Sequence, residues 1–382
     1  MKRTLNPLKL LDRSSYFLFG PRGVGKSFLI RETLLNQENL TFIDLLSSKN
    51  YLRLSARPSE LESMAQGKVV VIDEIQRIPE LLNEVHRLIE EKQISFLLTG
   101  SSARSLKRGG ANLLAGRAFR ADMFAFTWQE LQAEKIFDLS KYLLTGGLPM
   151  AYLGEHPHEY LYNYVETYLK EEIQAESLVR NLANYHRFLE AAASANAEMV
   201  NFTKVANDAQ LSPNTVRDYY GILEDTLIGY LIPAWTKSKK RKAVQTAKFY
   251  FFDPGVVHAI RQIESLEPQS DLYGKAFEQF IAGEIRAYLS YSQSRQSLSY
   301  WRSTSQMEVD FVIGDHIAIE VKSSDRTNHR DHKGLLAISE EQDWQHLLLV
   351  SKDETEQKFK SGIHHIHWEV FLKNLWAGYY LK

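Results

Sequence analysis

The chain has 382 residues, a formal net charge of −1 and no cysteine. Its length is sufficient for two or three domains. Its near-neutral charge gives no global signature of a nucleic-acid binder, and the absence of cysteine excludes disulfides and thiolate metal sites. The first residues lack an apolar signal core, and no apolar run is long enough to span a membrane. We therefore expect a cytoplasmic protein that makes no membrane contact.

A glycine-rich stretch, Gly20-Pro-Arg-Gly-Val-Gly-Lys-Ser27, follows the apolar run Tyr16-Phe-Leu-Phe19. The run predicts a short buried strand, and the spacing of the residues from Ser27 to Leu35 predicts a helix. A strand, this loop pattern and a helix together indicate a phosphate-binding loop. Its glycines let backbone N–H groups face phosphates, and the helix presents its positive end to them.

The loop therefore predicts binding of a nucleoside triphosphate. Lys26 would reach the β- and γ-phosphates, and Ser27 would hold Mg²⁺. A chance glycine-rich turn is the alternative. The predicted nucleotide-binding residues are Gly20, Pro21, Arg22, Gly23, Val24, Gly25, Lys26, Ser27 and Phe28.

Two acids follow another buried strand. After a predicted strand at Leu40–Leu45 and a predicted helix from about Pro58 to Gln66, the run Lys68-Val-Val-Val-Ile-Asp-Glu74 is typical of a buried parallel strand. Open α/β sheets place ligands at the carboxyl ends of their strands. We predict that Asp73 holds Mg²⁺ through water and that Glu74 positions and deprotonates the attacking water. The alternative is that the two acids cap the next helix.

The next segments are a predicted helix from about Pro79 to Lys92 and a predicted core strand at Ile94–Leu98. The strand ends in Thr99-Gly-Ser-Ser102. A polar side chain here could touch the γ-phosphate or the attacking water, and both Thr99 and Ser101 qualify. Capping of a helix N-terminus is the alternative for Ser101 and Ser102.

This order of motifs resembles an AAA+ type P-loop ATPase. More narrowly, it resembles a widespread bacterial and archaeal family of predicted ATPases, in which an AAA+ module precedes a C-terminal domain of unknown function. The resemblance continues through Leu114-Ala-Gly-Arg117, Phe126-Thr-Trp-Gln-Glu-Leu131 and Gly146-Gly-Leu-Pro149. It implies ATP and Mg²⁺ as cofactors.

Such ATPases usually need an arginine against the γ-phosphate, often from a neighbouring subunit. Arg117 is the first candidate, with Arg120 and Arg104 behind it. A solvated surface arginine is the alternative for each. An arginine that acts between subunits would imply a homo-oligomer, which we expect.

The region after this module is predicted to be helical to about Glu198. A short helix from about Thr203 to Ala209, a second helix capped by Ser212 and a strand at Leu227–Ile232 then form a winged helix-turn-helix pattern. Its second helix would expose Asn214, Arg217 and Asp218, a modest set for reading DNA. The alternative is that this module packs against the core or docks a partner.

The basic stretch Lys237-Ser-Lys-Lys-Arg-Lys242 follows. Several lysines on one loop could contact a phosphate backbone and give salt-sensitive, sequence-independent affinity. A solvated loop is the alternative.

The C-terminal part resembles the PD-(D/E)XK nuclease fold. A helix carrying Glu278 precedes three predicted strands, which are Leu298–Trp301, Glu308–Ile313 and Ile317–Lys322. A helix and a strand at His346–Val350 follow them.

The last of the three strands carries charges on one face. Residues two apart in a strand share a face, so Glu320 and Lys322 point into one site. Asp310 and Glu320 could chelate Mg²⁺, Lys322 could orient the attacking water and Glu278 could complete the site. The alternative is a surface ladder of ion pairs, and a nuclease-like fold does not by itself give nuclease activity.

We therefore predict an α/β protein with four regions. These are a P-loop AAA+ type core on a parallel sheet at 1–135, a helical lid-like region at 136–198, a winged helix-turn-helix at 199–250 and an α/β nuclease-like domain of the PD-(D/E)XK type at 251–382.

The predicted function is that of a Mg²⁺-dependent ATPase that couples hydrolysis to action on DNA, in repair or defence. DNA would be contacted through the winged helix, the Lys237–Lys242 loop and the nuclease-like domain. The alternative is an ATP-controlled switch or scaffold whose C-terminal half binds proteins and does not cleave DNA.

Overall fold

The computed structural model of the chain describes residues 1–12, 14–34, 39–102, 114, 116–169 and 181–381, without the side chains of 168 and 169. Arg104 lies outside these ranges. The contacts divide the chain into two units. The first consists of Met1–Ala125 with Ile222–Ile228, and the second of Phe126–Gly221 with Gly229–Lys382. No helix within the described ranges has the length and apolar character needed to cross a membrane.

A five-stranded parallel sheet forms the centre of the first unit, in the order β2-β3-β4-β1-β5. Its inner strands are continuous apolar runs, which favour a sheet that is covered on both faces. In β3, Val70, Val71 and Ile72 are fully buried. Because all the strands are parallel, their carboxyl ends meet at one edge. The strands are β1 Ser15–Phe19, β2 Leu40–Asp44, β3 Val69–Asp73, β4 Ser95–Gly100 and β5 Ala118–Asp122.

The helices of this unit confirm most of the predicted ones. The predicted helix at Pro79–Lys92 begins at Leu81, whereas the one at Pro58–Gln66 is a 3₁₀ turn, Pro58–Glu60, followed by one short helix. The helix Ser48–Ala56 was not predicted, because it buries only Leu54 and so lacks an apolar stripe. The helices are Pro7–Leu11, Lys26–Leu34, Ser48–Ala56, Leu61–Met64 and Leu81–Lys92, with a further 3₁₀ turn at Ile75–Arg77.

The second unit contains a small antiparallel sheet in the order β6-β8-β7. Its strands are β6 Glu198–Met199, β7 Gly229–Ile232 and β8 Lys248–Phe251. The helices of this stretch are Leu182–Ser194, Phe202–Ala209 and Pro213–Asp225. The predicted cap is confirmed, because Ser212 Oγ accepts a hydrogen bond from the Thr215 N–H at 3.1 Å.

A six-stranded mixed sheet follows, in the order β13-β14-β12-β11-β10-β9. The three predicted strands are confirmed as β9, β10 and β11. The strands are β9 Leu298–Arg302, β10 Glu308–Ile313, β11 Ile317–Lys322, β12 His346–Ser351, β13 Gln357–Lys358 and β14 Ile363–His367. The helix Lys333–Ser339 packs on β10, β11 and β12 through Leu335 and Ile338, which belong to one apolar cluster with Trp301 and Val309. The helices Asp271–Tyr291 and Trp368–Trp376 also pack against this sheet.

The glycine pair Gly146-Gly147 is held by Asp253, the N-cap residue of the helix Pro254–Ile260. The Asp253 carboxylate accepts the Gly147 N–H at 2.8 Å, and a Cβ on Gly146 would lie 1.8 Å from the same carboxylate. Gly146 also has a φ of +71°, which favours glycine. Burial raises the pKa of Asp253 to about 6. The other helices in the described part of the unit are Trp128–Ala133, Leu139–Thr145, Pro149–Leu153 and Pro157–Asn163, with a π-helical turn at Tyr164–Leu169 and 3₁₀ turns at His329–His332 and Tyr379–Leu381.

Candidate functional site

The glycine-rich loop joins the carboxyl end of β1 to the helix Lys26–Leu34. Gly23 and Gly25 have φ values of +84° and +96°, which side chains with a Cβ rarely adopt. A Cβ on Gly20 would lie 2.5 Å from the Met123 carbonyl oxygen. The loop is therefore a close turn that requires its glycines. Val24 is fully buried, whereas Arg22 and Phe28 are exposed.

Lys26 is 6% exposed and lies against its own loop. Its ammonium group donates to the carbonyl oxygens of Gly20 at 2.7 Å and Pro21 at 3.2 Å. These contacts hold the positive charge inside the turn, where the predicted β- and γ-phosphates would be. Arg3, near the amino terminus, also holds the loop in place. Its guanidinium donates to the Val24 carbonyl oxygen at 2.8 Å and to the Phe124 carbonyl oxygen at 2.6 Å. Sequence reasoning missed Arg3.

Three polar side chains meet at the carboxyl ends of β3 and β4, beside the loop. Ser27 Oγ donates to Asp73 Oδ2 at 2.9 Å, and Thr99 Oγ1 donates to the other oxygen, Asp73 Oδ1. Thr99 is fully buried and also accepts the Glu74 N–H at 3.1 Å. Thr99 therefore orients Asp73 and Glu74. The hydroxyl and carboxylate of the Ser27–Asp73 pair fit a Mg²⁺ ion, which usually takes one or two protein ligands plus phosphate oxygens and water.

Glu74 has a left-handed backbone, with φ 61° and ψ 47°. For a residue with a side chain this costs on the order of 1–3 kcal/mol, and such strain is concentrated at functional sites. Its carboxylate accepts a hydrogen bond from Gln76 Nε2, and Ser101 Oγ lies 3.5 Å away. Gln76 also donates to Ser101 Oγ at 3.1 Å. Sequence reasoning did not identify Gln76, although it lies only two residues after Glu74, the predicted catalytic base.

Arg117 lies away from the loop of its own chain. Strand β5 pairs with β1 in parallel, with Ala118 opposite Ser15 at the amino ends of the two strands. Arg117, one residue before Ala118, therefore lies at the amino edge of the sheet, about 20 Å from Gly20 at a rise of roughly 3.3 Å per residue. There its guanidinium pairs with Glu90. A contact with a γ-phosphate would require the loop of another copy. Arg120 pairs with Asp122 at 2.8 Å.

A second group of charged side chains lies in the second unit, between β8, β10, β11 and the helix Asp271–Tyr291. We call it the carboxylate–lysine cluster. Asp310 and Glu320 are both 8% exposed, so the surface ion-pair ladder does not describe them. The predicted shared face is confirmed, because Lys322 Nζ donates to Glu320 Oε1 at 2.5 Å. The cluster consists of Lys248, Tyr250, Glu278, Arg302, Glu308, Asp310, Glu320 and Lys322.

Lys248 is at the centre of the cluster, and sequence reasoning missed its role there. Its ammonium nitrogen lies 2.6 Å from Glu308 Oε1, 3.2 Å from Glu278 Oε1 and 3.7 Å from Asp310 Oδ1. Burial alone would lower the pKa of Lys248, but the surrounding carboxylates, Glu278 above all, hold that pKa well above its usual range. Tyr250, two residues further along β8, donates to Glu278 Oε1 at 2.5 Å.

The magnesium ion that a nuclease-like site implies does not fit this arrangement. The described residues contain no group of three or more His, Cys, Asp or Glu side chains placed to hold a metal ion. Asp310 Oδ2 accepts the Val321 N–H at 2.8 Å, and its other oxygen faces Lys248. Burial raises the pKa of Glu278 and, to a larger extent, that of Glu320. A divalent ion would have to enter beside a buried ammonium group.

The basic stretch Lys237–Lys242 is held in place by Glu341, which is 2% exposed. The Glu341 carboxylate accepts the backbone N–H groups of Lys239 at 2.7 Å, Lys240 at 2.7 Å and Arg241 at 3.1 Å. Three backbone donors around one carboxylate fix the path of the loop. The stretch is therefore an anchored loop.

Two of the positive side chains on the anchored loop are in ion pairs with acidic side chains. Lys237 pairs with Asp315 at 2.5 Å, and Arg241 pairs with Glu340 at 3.1 Å. The side chains of Lys239, Lys240 and Lys242 are exposed. The anchored loop therefore presents four lysine side chains to solvent, of which Lys237 is in an ion pair with Asp315.

Three family models match the chain. Residues 12–132 match an AAA domain, residues 136–267 match Domain of unknown function DUF8612, and residues 273–371 match Domain of unknown function DUF4143. None of the curated proteins compared with the chain matches it.

Similar solved structures include the Walker-type ATPase PABY2304 of Pyrococcus abyssi, with 15% identity, a TM-score of 0.46 and coverage of 67% of this chain and 93% of that one. A Drosophila ORC structure, bound to AT-rich DNA and Cdc6, has 12% identity, a TM-score of 0.24 and coverage of 67% and 87%. Protein VC1899 from Vibrio cholerae has 11% identity, a TM-score of 0.22 and coverage of 96% and 97%.

The AAA domain match, the glycine-rich loop and the parallel sheet define the class of the amino-terminal part. It is a P-loop domain of the ATPase type. The two matches over the rest of the chain carry no function in their descriptions.

Proposed function

We propose that the chain binds ATP with Mg²⁺ at the loop Gly20–Ser27 and hydrolyses it with Glu74 as the general base. The observation that carries this proposal is the hydrogen-bond chain from Ser27 through Asp73 and Thr99 to the Glu74 backbone. This chain brings together, at one edge of the sheet, the Ser27 hydroxyl, the Asp73 carboxylate that would hold the metal ion, and Glu74, the proposed general base.

Each residue has one task in this proposal. Lys26 exchanges its two backbone carbonyl acceptors for phosphate oxygens, and loop N–H groups complete the cradle. Ser27 and Asp73 hold the Mg²⁺ ion, which neutralises phosphate charge when it is bound. Glu74 accepts a proton from the attacking water. Gln76 and Ser101 contact the Glu74 carboxylate and orient it.

The binding step is tested by measuring the Kd for ATP with Mg²⁺ in the Lys26→Ala variant. Loss of the buried ammonium group should weaken binding about 100-fold or more, because charge-assisted hydrogen bonds to phosphate are among the strong ones. Lys49→Ala is the control, since Lys49 is exposed on the helix Ser48–Ala56. Equal affinities in the two variants would contradict the assignment.

We further propose that the second unit contacts DNA through the phosphate backbone. The order of helices and the small sheet β6-β8-β7 is compatible with a winged helix, and the anchored loop between β7 and β8 would be its wing. Lys239, Lys240 and Lys242 are exposed on this loop, and Lys237 is exposed as well but pairs with Asp315. Fixed lysines on a wing would give sequence-independent affinity that falls with salt.

The DNA proposal is tested with the full chain and duplex DNA at several salt concentrations. The triple change of Lys239, Lys240 and Lys242 to Gln keeps the backbone bonds to Glu341. It should reduce the slope of log K against log salt by about 2 to 3. The same change at the exposed residues Lys135, Lys360 and Lys373 is the charge-matched control. A slope that both triple variants lower equally would contradict a specific role of the loop.

A protein-binding switch is the second candidate function, and the helix Pro213–Asp225 favours it. Its exposed face carries Asn214, Arg217 and Asp218, so one positive and one negative charge offset each other. The Arg217 guanidinium also lies over the Phe202 ring, 5.0 Å from its centre. No binding of the wild-type chain to DNA at low salt would favour the switch. In either case we propose assembly of more than one copy, which solution mass with and without ATP would test.

A further inference from the structure

We propose that Lys248 takes the place of the metal ion in the carboxylate–lysine cluster, so that this region works without a divalent cation and does not cleave nucleic acid by metal-assisted chemistry. The inference concerns the second unit alone. It stands or falls independently of ATP hydrolysis at the loop.

The position of the ammonium group is the first argument. It lies within 3.2 Å of one oxygen each of Glu278 and Glu308 and 3.7 Å from Asp310. These three carboxylates come from a helix and from β10. Two of them, Glu278 and Asp310, belong to the predicted metal site, in which Glu320 was the other metal ligand. The lysine side chain is 5% exposed, so it is built into the site.

The origin of the lysine is the second argument. Lys248 begins β8, a strand of the small sheet β6-β8-β7, and does not belong to the six-stranded sheet that carries Asp310 and Glu320. Alternate residues of a strand share a face, and Lys248 and Tyr250 both point at Glu278. A cation and a hydroxyl donor therefore reach the same carboxylate from one strand.

The remaining carboxylate oxygens of the cluster are the third argument. Asp310 Oδ2 is bonded to a backbone N–H, Glu308 Oε2 accepts from Arg302 at 2.8 Å, and Glu320 Oε1 accepts from Lys322. Glu320 Oε2 is buried and has no hydrogen-bond partner among the described residues. Glu278 uses only Oε1, toward Lys248 and Tyr250, among the described residues. A divalent ion would therefore have two open oxygens, Glu278 Oε2 and Glu320 Oε2, and each belongs to a carboxylate that already has a lysine partner.

The charge balance is the fourth argument. Four carboxylates in the cluster face three cations, which are Lys248, Arg302 and Lys322. Each carboxylate that a metal ion would use already interacts with a positive group. Two like charges a few ångströms apart in a buried site repel strongly, so a divalent ion and the Lys248 ammonium exclude each other.

The proposal is tested by titrating the full chain with Mn²⁺, without nucleotide, and following free Mn²⁺ by electron paramagnetic resonance. All proteins carry Asp73→Asn, which removes the carboxylate that is proposed to hold a metal ion beside Ser27. We expect no Mn²⁺ site in this parent. Replacing Lys248 by Met keeps the length of the side chain and removes its charge. It should create a site for one Mn²⁺ ion at least tenfold tighter than any binding by the parent, and adding Asp310→Asn should remove that site.

Controls separate the proposal from a folding defect. Lys275→Met removes a lysine that pairs with Glu198 and should create no Mn²⁺ site. Lys248→Arg keeps the charge and should also create none. If Lys248→Met does not fold, the parent still decides: Mn²⁺ should leave its Tm unchanged. A parent that binds Mn²⁺, or nicks plasmid with Mg²⁺, in a manner lost in Asp310→Asn would overturn the proposal. A folded Lys248→Met without a Mn²⁺ site would overturn it too.

Discussion

The two charged sites of this chain use similar side chains in opposite ways. At the loop, Lys26 donates to backbone carbonyls. Within the described part of the chain, the Asp73 carboxylate accepts its hydrogen bonds from two hydroxyl groups, those of Ser27 and Thr99. In the carboxylate–lysine cluster, Lys248 lies directly among the acids. The first arrangement leaves a carboxylate ready for an external cation. The second supplies the cation from the chain itself.

This difference shows why a list of acids and lysines does not define a metal site. Asp73 and Asp310 are both buried aspartates that the sequence predicts to hold Mg²⁺, and they are 3% and 8% exposed. What separates them is the group that already compensates the charge. A neutral hydroxyl leaves the negative charge available to a metal ion, whereas an ammonium group neutralises it.

The largest expected effect comes from the same change at these two aspartates. Asp73→Asn should lower ATP turnover by about 100-fold or more, since it removes a charge that the proposed Mg²⁺ requires. Asp310→Asn should leave turnover within about twofold of wild type. Steady-state phosphate release measures both. Comparable losses in the two variants would break the distinction between the sites.

The next largest effect, on stability, is expected at Gly146, which lies against the Asp253 carboxylate. Gly146→Ala would place a Cβ 1.8 Å from the Asp253 carboxylate, at a φ of +71°. We expect a loss of stability on the order of 3 kcal/mol, measured by denaturant unfolding. Gly283→Ala is the matched control, because a Cβ there meets nothing within 4 Å. In a helix interior it should stabilise by about 0.5–1 kcal/mol. A mild effect of Gly146→Ala would show that Asp253 can move aside.

Glu284 is a third buried carboxylate, and its hydrogen-bond partners are N–H donors without charge. It accepts from the Trp128 N–H at 2.7 Å and from Trp376 Nε1 at 2.8 Å. Burial raises the pKa of Glu284 to about 8, from 4.5. The unfolded chain thus loses this proton at lower pH than the folded chain does. The stabilisation of the folded chain by the protonated Glu284 carboxyl group is fully present below pH 4.5 and is lost as pH rises to about 8.

We therefore expect Glu284→Gln to remove a downward slope of stability, at most about 1.4 kcal/mol per pH unit between pH 4.5 and 8. Its amide cannot accept from both tryptophans, so a constant offset accompanies the change. Tm measured from pH 5 to pH 8 separates the two contributions. Parallel Tm profiles for the variant and the wild type would show that the carboxyl group is already ionised at pH 5.

The smallest expected effect is that of Arg117→Ala. Its guanidinium pairs with Glu90 at the amino edge of the sheet, and the side chain is 38% exposed. We expect unchanged ATP affinity and turnover within about twofold. Turnover that falls at least 100-fold with intact ATP affinity would instead place Arg117 against the nucleotide of another copy.

Much of the fold follows from local sequence patterns. The apolar runs before Asp73 and around Glu320 predict buried strands, because continuous or alternating apolar residues can pack in few other ways. The helix Ser48–Ala56 escaped this reasoning because only Leu54 is buried. Pattern also placed Glu320 and Lys322 on one face.

The contents of the sites were harder to predict, because distant residues supply them. Lys248 reaches Glu308 across 60 positions of sequence, and Arg3 reaches Val24 and Phe124 from the amino terminus. Neither lies in a motif, so no local pattern marks it. Gln76 is the exception, since it follows Glu74 closely and could have been found by asking which groups orient the predicted base.

Single-turnover hydrolysis of ATP by the Glu74→Gln variant, with ATP affinity measured on the same sample, tests directly whether Glu74 is the general base. Glutamine keeps the shape of the side chain but cannot accept a proton from water. We expect ATP affinity within about threefold of wild type and hydrolysis slowed by at least 100-fold, in line with the loss of a general base. Hydrolysis at the wild-type rate would contradict this assignment.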